Sequence, residues 1–304
     1  MNLTRVYPNY YEKFTCIKGE CRHNCCIGWE IDIDKSTAAR YRKIKGDLGK
    51  RLKKNIAWGR FPHFKNCADG RCPFLNTDNL CDIIIGIGDN ALCDICDRHP
   101  RFFNELPDRI EVGLGLSCEA AGRIILGESE PVRLLNAPPS TEDELINLRD
   151  NLIVILQDRS TPIEQRMDRL LKTVNCQRKI SLSSLVKLLK SLEVLDNSWL
   201  QLLENYKPQD IAVFLDYMGD RAIEYEQLAV YFIYRHFAIA PSREQVSARA
   251  LFAVLSVRLL MALGSMLWWQ NGQFTFEDQV ELARMYSAEI EYSDQNLYII
   301  LNSL

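Results

Sequence analysis

The chain has 304 residues, of which 47% are hydrophobic and 25% charged, and its formal net charge is -3. This composition is typical of a soluble globular protein with one large or two ordinary domains, and it excludes wholesale disorder and a bulk polycation. Ten of the eleven cysteines lie between Cys16 and Cys118, and only Cys176 lies beyond them. The sequence therefore divides into a cysteine-rich first part and a cysteine-poor remainder.

The cysteines have three possible roles, namely disulfides, buried thiols and metal ligation. The first residues contain no apolar signal-peptide core and the cysteine count is odd, so we do not expect a disulfide framework. A buried thiol explains Cys176, because free cysteine packs as a small hydrophobic side chain. It does not explain the adjacent Cys25 and Cys26, which follow the polar residues 22–24. We therefore predict that thiolates bind a metal.

The spacing of the cysteines does not decide between zinc and an iron–sulfur cluster. Cys93-x2-Cys96 has the tight spacing of a zinc knuckle, and Cys21-x3-Cys25 is a looser version. The other spacings are irregular, and histidines are few, although His23 and His99 lie close to cysteines. An irregular, all-thiolate set is typical of an iron–sulfur cluster, which four cysteines usually hold.

The first part of the chain is predicted to contain short and irregular elements. Alternation over 30–34 indicates an extended segment, and Ser36 or Thr37 can cap a helix that continues to about residue 45. The apolar run 80–85 is predicted to be a strand, and 115–127 to open a short helix that ends near Gly127. Residues 129–141, rich in proline and serine, are predicted to be a linker.

Residues 40–65 carry ten Lys or Arg and one acid, Asp47. One interpretation is a surface that binds nucleic acid or an acidic protein, since Trp58, Phe61 and Phe64 lie in or near the run. The alternative is a solvated helix and loop, which we favour because the whole chain is acidic and contains no RNA-binding or zinc-finger motif.

After the linker the hydrophobic period is helical. Thr141 and Glu144 have capping-box spacing, and Pro162 is predicted at the first position of a second helix. Further helices are predicted over 181–195, 197–205, 208–218, 221–239, 243–270 and 276–290. The stretch 250–269 is long enough to span a bilayer, but Arg258 lies near its middle, so we predict a buried central helix.

The sequence contains none of the common catalytic fingerprints. Gly-x-Ser-x-Gly, Walker A, His-Glu-x-x-His and the radical-SAM cysteine spacing are absent. Gly86-x-Gly88 lacks the third glycine of a dinucleotide-binding loop. On the helix around residues 224–237, acidic and aromatic side chains recur at helical spacing, which is more typical of core and surface than of a pocket.

The cysteine-rich part and the helical part together contain a series of short motifs, namely Cys16-x4-Cys21-x3-Cys25-Cys26-x-Gly28-Trp29, Cys72-Pro73-Phe74-Leu75, Cys81, Cys96-x3-Pro100-Arg101, Leu116-Ser117-Cys118-Glu119 and the helix Glu224–Phe237. In this order they resemble the flagellin lysine-N-methylase family, and the cysteine-rich core is also similar to the zinc- or iron-chelating cysteine-cluster proteins. The resemblance is strong over about 10–122 and weaker in the helical half.

The resemblance implies methylation of lysine side chains on flagellin, with S-adenosylmethionine as the methyl donor and an associated iron–sulfur cluster. It places the metal ligands at eight cysteines, Cys16, Cys21, Cys25, Cys26, Cys72, Cys81, Cys96 and Cys118. Cys67 and Cys93 are additional to the family's set. The resemblance assigns no donor-binding or catalytic residue.

The sequence predicts a mainly α protein with an irregular cysteine-rich metal-binding domain (1–128) that contains a few short strands. The linker 129–141 and an all-α domain (142–304) follow. The main functional hypothesis is a cytoplasmic flagellin lysine methyltransferase with a 4Fe-4S cluster, or zinc as the alternative metal. The rival hypotheses are a non-catalytic metal-binding protein or scaffold, and a cluster-containing module that binds nucleic acid through 40–65. We do not expect nucleic acid or a membrane as a partner.

Overall fold

The computed structural model describes residues 3–138 and 141–304, and the chain forms two compact units. The cysteine unit is Thr15–Arg101, and the helical unit combines Met1–Phe14 with Phe102–Leu304. These boundaries differ from the sequence prediction, which ended the first domain at residue 128. Residues 102–128 pack with the helical unit instead, and residues 139 and 140 of the predicted linker lie outside the described residues.

The chain is mainly helical. Its strands are β1 (Thr4–Pro8), β2 (Ile56–Ala57), β3 (His63–Phe64), β4 (Arg101–Glu105), β5 (Arg109–Leu114) and β6 (Leu134–Leu135). Its helices are α1 (Lys35–Lys43), α2 (Gly46–Asn55), α3 (Asp82–Ile87), α4 (Asp94–Arg98), α5 (Glu119–Leu126), α6 (Glu144–Leu156), α7 (Ile163–Thr173), α8 (Leu182–Leu189), α9 (Asn197–Glu204), α10 (Ile211–Met218), α11 (Ile223–His236), α12 (Glu244–Asn271), α13 (Phe276–Tyr286) and α14 (Asp294–Ser303).

The cysteine unit has a small core of its own, in which Tyr41, Phe64 and Phe74 pack together. The α1 helix begins at the cap predicted nearby, but the capping side chain is Asp34, which accepts from the Thr37 N–H at 2.9 Å. The strand predicted over 80–85 is wrong, because Asp82–Ile87 forms α3 and only Ile83 of that helix is buried.

The helical unit also contains a sheet, in the order β4-β5-β1-β6. β1 pairs with β5 in parallel, with Thr4 opposite Arg109, and with β6 antiparallel, with Tyr7 opposite Leu135. Every regular element between Glu144 and Ser303 is helical, which confirms the predicted all-α character of 142–304. The helix predicted to end near Gly127 is α5.

The α12 helix is the central core helix that the sequence predicted. It is the one helix among the described residues that is long and apolar enough to cross a membrane, and 89% of its most apolar window is buried inside the protein. Arg258 near its middle forms ion pairs with Glu164 at 2.7 Å and Asp168 at 2.8 Å. The surrounding protein therefore buries the apolar surface of α12, and acidic side chains pair with Arg258.

Three details of the helical unit differ from the prediction. Asp143, not Thr141, caps α6, and it accepts from the Leu145 and Ile146 N–H groups. Pro162 is the residue before α7 rather than its first residue. The helix predicted to reach residue 290 is α13 followed by a π-helical turn at Ser287–Glu291, and α14 after it was not predicted.

Candidate functional site

Two loops of the cysteine unit meet at Cys26 and Cys72. The Cys72 N–H donates to the Cys26 carbonyl at 2.7 Å, and the Gly28 N–H donates to the Gly70 carbonyl at 2.9 Å. Gly28 and Gly70 both have positive φ, at 82° and 76°, a conformation that glycine adopts without steric cost. The two glycines therefore let the loops cross closely enough to bring Cys26 beside Cys72.

A tight turn then places Cys81 next to Cys72. The Leu75 N–H donates to the Cys72 carbonyl at 3.0 Å, and Leu75 forms a bridge with Cys81. The side-chain oxygen of Asn76 accepts from two backbone N–H groups within the turn, those of Asp78 and Leu80. The Cys72-Pro73-Phe74-Leu75 motif is thus a turn that fixes two cysteines, while Phe74 anchors it in the core.

Cys93 and Cys96 lie at the start of α4. Cys93 is the N-cap residue and is fully buried, and its carbonyl accepts from the Asp97 N–H at 2.9 Å. Tyr41 of α1 donates its hydroxyl to the Ala91 carbonyl at 2.8 Å, which holds the preceding loop. Burial and then the nearby thiols, chiefly Cys93 and Cys96, raise the pKa of Tyr41, whose ring lies in the same small core as these cysteines.

Five cysteines share the small core of the cysteine unit, because Cys72 and Cys93 are buried in it and Cys26, Cys81 and Cys96 pack against it. A hydrogen bond with Cys25, burial, and the charges of Cys72 and Cys81 raise the pKa of Cys26. A hydrogen bond with Cys93, burial, and the charges of Cys93, Cys26 and Cys72 raise the pKa of Cys96. Burial, more than the neighbouring thiols, raises the pKa of Cys72 to about 11. The thiol cluster is Cys26, Cys72, Cys81, Cys93 and Cys96.

The cluster differs from the set of eight that the family resemblance implied. Four of those eight belong to the thiol cluster: Cys26, Cys72, Cys81 and Cys96. Cys25 lies outside the cluster but forms a hydrogen bond with Cys26. Cys93, which the resemblance set aside, also belongs to the cluster. Cys16 is exposed and its sulfur accepts from the Lys18 N–H at 3.4 Å. The remaining three of the cysteine-rich part are the half-buried Cys21, the exposed Cys67, and Cys118, which is the N-cap residue of α5 in the helical unit.

In residues 3–138 and 141–304, no group of three or more Cys, His, Asp or Glu side chains is arranged closely enough to hold a metal ion. The described cysteines are also free of disulfides. Three or more sulfurs of the thiol cluster could contact one metal ion only after side-chain rearrangement. The spacing Cys93-x2-Cys96 was the sequence signal for Cys93, since that spacing places both thiols on one helix turn.

The helical unit contains a second polar cluster, buried between α11 and the π-helical turn. Glu291 is 5% exposed and accepts from the Tyr231 hydroxyl at 2.9 Å and from His236 Nε2 at 2.5 Å. Arg235 Nη1 donates to the Tyr231 hydroxyl at 2.6 Å, and its Nε lies 3.4 Å from Glu291. π-Helical turns occur frequently at functional sites, and this one carries the carboxylate into the core.

This buried network is connected to the Leu116-Ser117-Cys118-Glu119 motif. The Leu116 N–H donates to the Tyr231 hydroxyl at 3.3 Å. Burial works to raise the pKa of Glu291, but the charge of Arg235 and the hydrogen bond from His236 outweigh it and lower that pKa. Burial lowers the pKa of His236, although its hydrogen bond with Glu291 works in the opposite direction. The sequence showed no sign of Glu291, because its partners lie 55 and 60 residues away.

Comparison with known proteins places the chain among related sequences. Residues 168–304 match the FliB lysine N-methylase C-terminal domain. Lysine-N-methylases of Salmonella typhimurium (strain LT2) and Salmonella choleraesuis (strain SC-B67) are each 31% identical over 141 residues, which are 43% of this chain and 35% of the relative. The flagellar biosynthetic protein FliU of Salmonella muenchen is 30% identical over 141 residues, 43% of this chain and 82% of that protein. No solved structure matches.

The fold and these matches define a mainly helical protein with a separate cysteine-rich unit. The chain belongs to the flagellin lysine-N-methylase family. The aligned part covers about a third of the length of the two lysine-N-methylases.

Proposed function

We propose that the protein is a cytoplasmic methyltransferase that transfers the methyl group of S-adenosylmethionine to lysine side chains of flagellin. Membership of the flagellin lysine-N-methylase family is the observation that carries this proposal. The flagellar name of the FliU relative supports flagellin as the substrate. The matched residues 168–304 include most of the helices of the helical unit.

Methyl transfer to lysine requires a neutral ε-amine, whose ordinary pKa near 10.4 keeps it protonated at neutral pH. The site must therefore lower that pKa by desolvation or accept the proton. Glu291 and His236 are too deeply buried to contact a protein substrate. Their role is to position Tyr231 and, through it, the backbone at Leu116.

We place an iron–sulfur cluster at the thiol cluster of the cysteine unit. The donors fit chemically, because a cluster is held by thiolates and five cysteines share one small core there. The pKa is raised at Cys26, Cys72, Cys81 and Cys96, whereas the hydrogen bond with Cys96 lowers the pKa of Cys93. A bound metal would replace the remaining thiol protons. These cysteines come from three segments of the unit, so a bound cluster would link them and would supply redox-active iron. Its ligands come from Cys26, Cys72, Cys81, Cys93 and Cys96.

The proposed reaction is tested by incubating protein purified without oxygen with unmethylated flagellin and methyl-labelled S-adenosylmethionine. We expect label on flagellin lysines, located by peptide mass spectrometry. The Cys176→Ser variant is the matched control, because Cys176 belongs to the helical unit and is not a member of the thiol cluster, and it should retain full transfer. Protein with an intact metal centre that leaves flagellin unlabelled contradicts the methyltransferase and favours a non-catalytic metal-binding protein.

A further inference from the structure

Positive charge is concentrated on the helical hairpin of the cysteine unit. We call ten exposed side chains the basic surface: Arg40, Arg42, Lys43, Lys45, Lys50, Arg51, Lys53, Lys54, Arg60 and Lys65. The cysteine unit has sixteen Lys or Arg against eleven Asp or Glu, a net charge of +5, whereas the rest of the chain has a net charge of -8. The basic surface is therefore the source of the cysteine unit's positive charge.

Side-chain contacts hold the parts of the basic surface together. The Arg42 guanidinium lies over the Trp58 ring at 4.7 Å, and Trp58 Nε1 donates to the Lys53 carbonyl at 3.0 Å. Lys65 Nζ donates to the Lys54 carbonyl at 3.1 Å. The end of α1, the end of α2 and the segment after β3 are thus neighbours, and their cations form one surface rather than a ring around the unit.

Most of this charge is not neutralised within the protein. Lys50 pairs with Asp47 and Arg51 with Asp82. Within the part of the chain that the structure describes, the other eight cations form no ion pair with an acid. On a solvated helix face, acidic and basic side chains usually alternate at i,i+4 spacing. The basic surface does not show this alternation. Favourable interaction with the helix dipole explains Lys53 and Lys54 in the last turn of α2, but not Lys45 or Arg60.

We infer that the basic surface binds an acidic segment of a protein partner. If the proposed function holds, this partner is the flagellin substrate. The target lysine is itself a cation and is repelled here, so the surface binds acidic residues elsewhere in the substrate. The α2 helix is about 15 Å long, which an extended acidic segment of about five residues spans.

The aromatic side chains favour a protein over nucleic acid. Single-stranded nucleic acids bind by stacking bases on exposed rings. Here Arg42 lies over the Trp58 ring, and Arg60 lies over the Phe61 ring at 5.5 Å, so an arginine already covers a face of each ring. A guanidinium held over a ring keeps its planar fork of N–H donors for a carboxylate. The net charge of -8 on the rest of the chain also opposes a long polyanion.

Fluorescence anisotropy tests this inference with three labelled probes of about twelve residues or nucleotides. The probes are a peptide of alternating Glu and Ser, the same peptide with Gln in place of Glu, and a single-stranded RNA of mixed sequence. We expect the full chain to bind the Glu peptide, to ignore the Gln peptide, and to lose affinity as sodium chloride rises from about 50 to about 300 mM.

A matched pair of variants locates the binding. The four-fold Lys→Gln variant at Lys43, Lys45, Lys53 and Lys54 should weaken Glu-peptide binding roughly tenfold or more. The same charge change at four exposed lysines of the helical unit, Lys172, Lys179, Lys187 and Lys190, should leave it unchanged. Circular dichroism verifies that both variants remain folded.

Two results overturn the inference. One is equal Glu-peptide binding by both variants and the parent chain. The other is tighter binding of the RNA than of the Glu peptide at the same salt concentration. Because peptide binding is measured without the methyl donor, this result is independent of whether the protein methylates flagellin. Where it does, the KM for flagellin should rise in the basic-surface variant while kcat stays unchanged.

Discussion

Arg149 and Glu111 form an ion pair in which neither side chain is exposed to solvent. Arg149 Nη1 donates to Glu111 Oε2 at 2.7 Å, and Nη2 donates to Oε1 at 2.6 Å. The Arg149 guanidinium also lies over the Tyr234 ring at 5.2 Å. The pair connects α6 to β5, so it holds the sheet of the helical unit against the helices.

Removing one partner of this pair should destabilise the protein strongly. Arg149→Ala leaves an uncompensated buried carboxylate and should lower the free energy of unfolding by about 3–5 kcal/mol. Arg169→Ala is the control, because its ion pair with Asp158 is exposed and screened by solvent and should contribute little to stability. Urea denaturation measures both variants. Equal losses in the two variants contradict a structural role for the buried pair.

Gly113 of β5 is predicted to tolerate no side chain. A Cβ atom there would overlap the ring of Phe102 on the neighbouring strand β4. Gly113→Ala should therefore cost about 1–3 kcal/mol, the usual penalty for overpacking a core. The double variant with Phe102→Leu should recover part of this loss, so the two changes should be non-additive in thermal denaturation. If the stability losses of the two single variants simply add in the double variant, the side chains at positions 102 and 113 do not clash.

The network at Glu291 should make the helical unit sensitive to acid. Burial lowers the pKa of His236, so unfolding takes up a proton, and stability should fall as the pH drops below about 6.5. The pKa of Glu291 is also lowered, because Arg235 and His236 outweigh burial. Its contribution is present above the unfolded pKa near 4.3 and is lost as the pH falls through its folded pKa.

The His236→Gln variant separates these two contributions. Gln keeps a donor toward Glu291 but does not titrate, so the loss of stability between about pH 6.5 and 4.5 should become smaller. Thermal midpoints over this pH range measure the difference. The Arg249 side chain donates to the His236 carbonyl and stays charged over this pH range, so it adds no pH-dependent change in stability. An unchanged pH profile in His236→Gln excludes His236 as the titrating group.

The sequence predicted most of the helices of 142–304, because their apolar periodicity is local, but it missed α14. It also predicted that α12 is a core helix, and the ion pairs of Arg258 with α7 supply the reason. The pairing of β1 with β5 could not be predicted, because Thr4 and Arg109 are far apart in sequence. The run at 80–85 misled because a short apolar stretch fits a strand or a helix equally well.

The site was predictable only in part. Four of the eight cysteines that the resemblance implied as ligands belong to the thiol cluster, and the Cys93-x2-Cys96 spacing pointed to its fifth member. That these cysteines bind a metal stays a prediction. The sequence could not show which loops of the cysteine unit lie against each other. Cys26 lies beside Cys72 because the Gly28 and Gly70 backbones are hydrogen-bonded, a contact between segments about 40 residues apart. Glu291 was missed for the same reason, since only the folded chain brings it to α11.

Thiol ligation should depend on Cys93 rather than on Cys16. Cys93 is fully buried within the thiol cluster, whereas Cys16 is exposed. Replacing Cys93 by serine keeps the size of the side chain but removes a soft thiolate ligand. We expect Cys93→Ser to lose bound metal and to unfold at lower temperature, and Cys16→Ser to retain both properties.

The iron and acid-labile sulfide content of protein purified without oxygen tests whether the thiol cluster holds an iron–sulfur cluster. We expect iron and sulfide in the parent chain and in Cys16→Ser and Cys176→Ser, and their loss in Cys93→Ser. Stoichiometric zinc without sulfide, or full iron and sulfide in Cys93→Ser, would contradict this expectation.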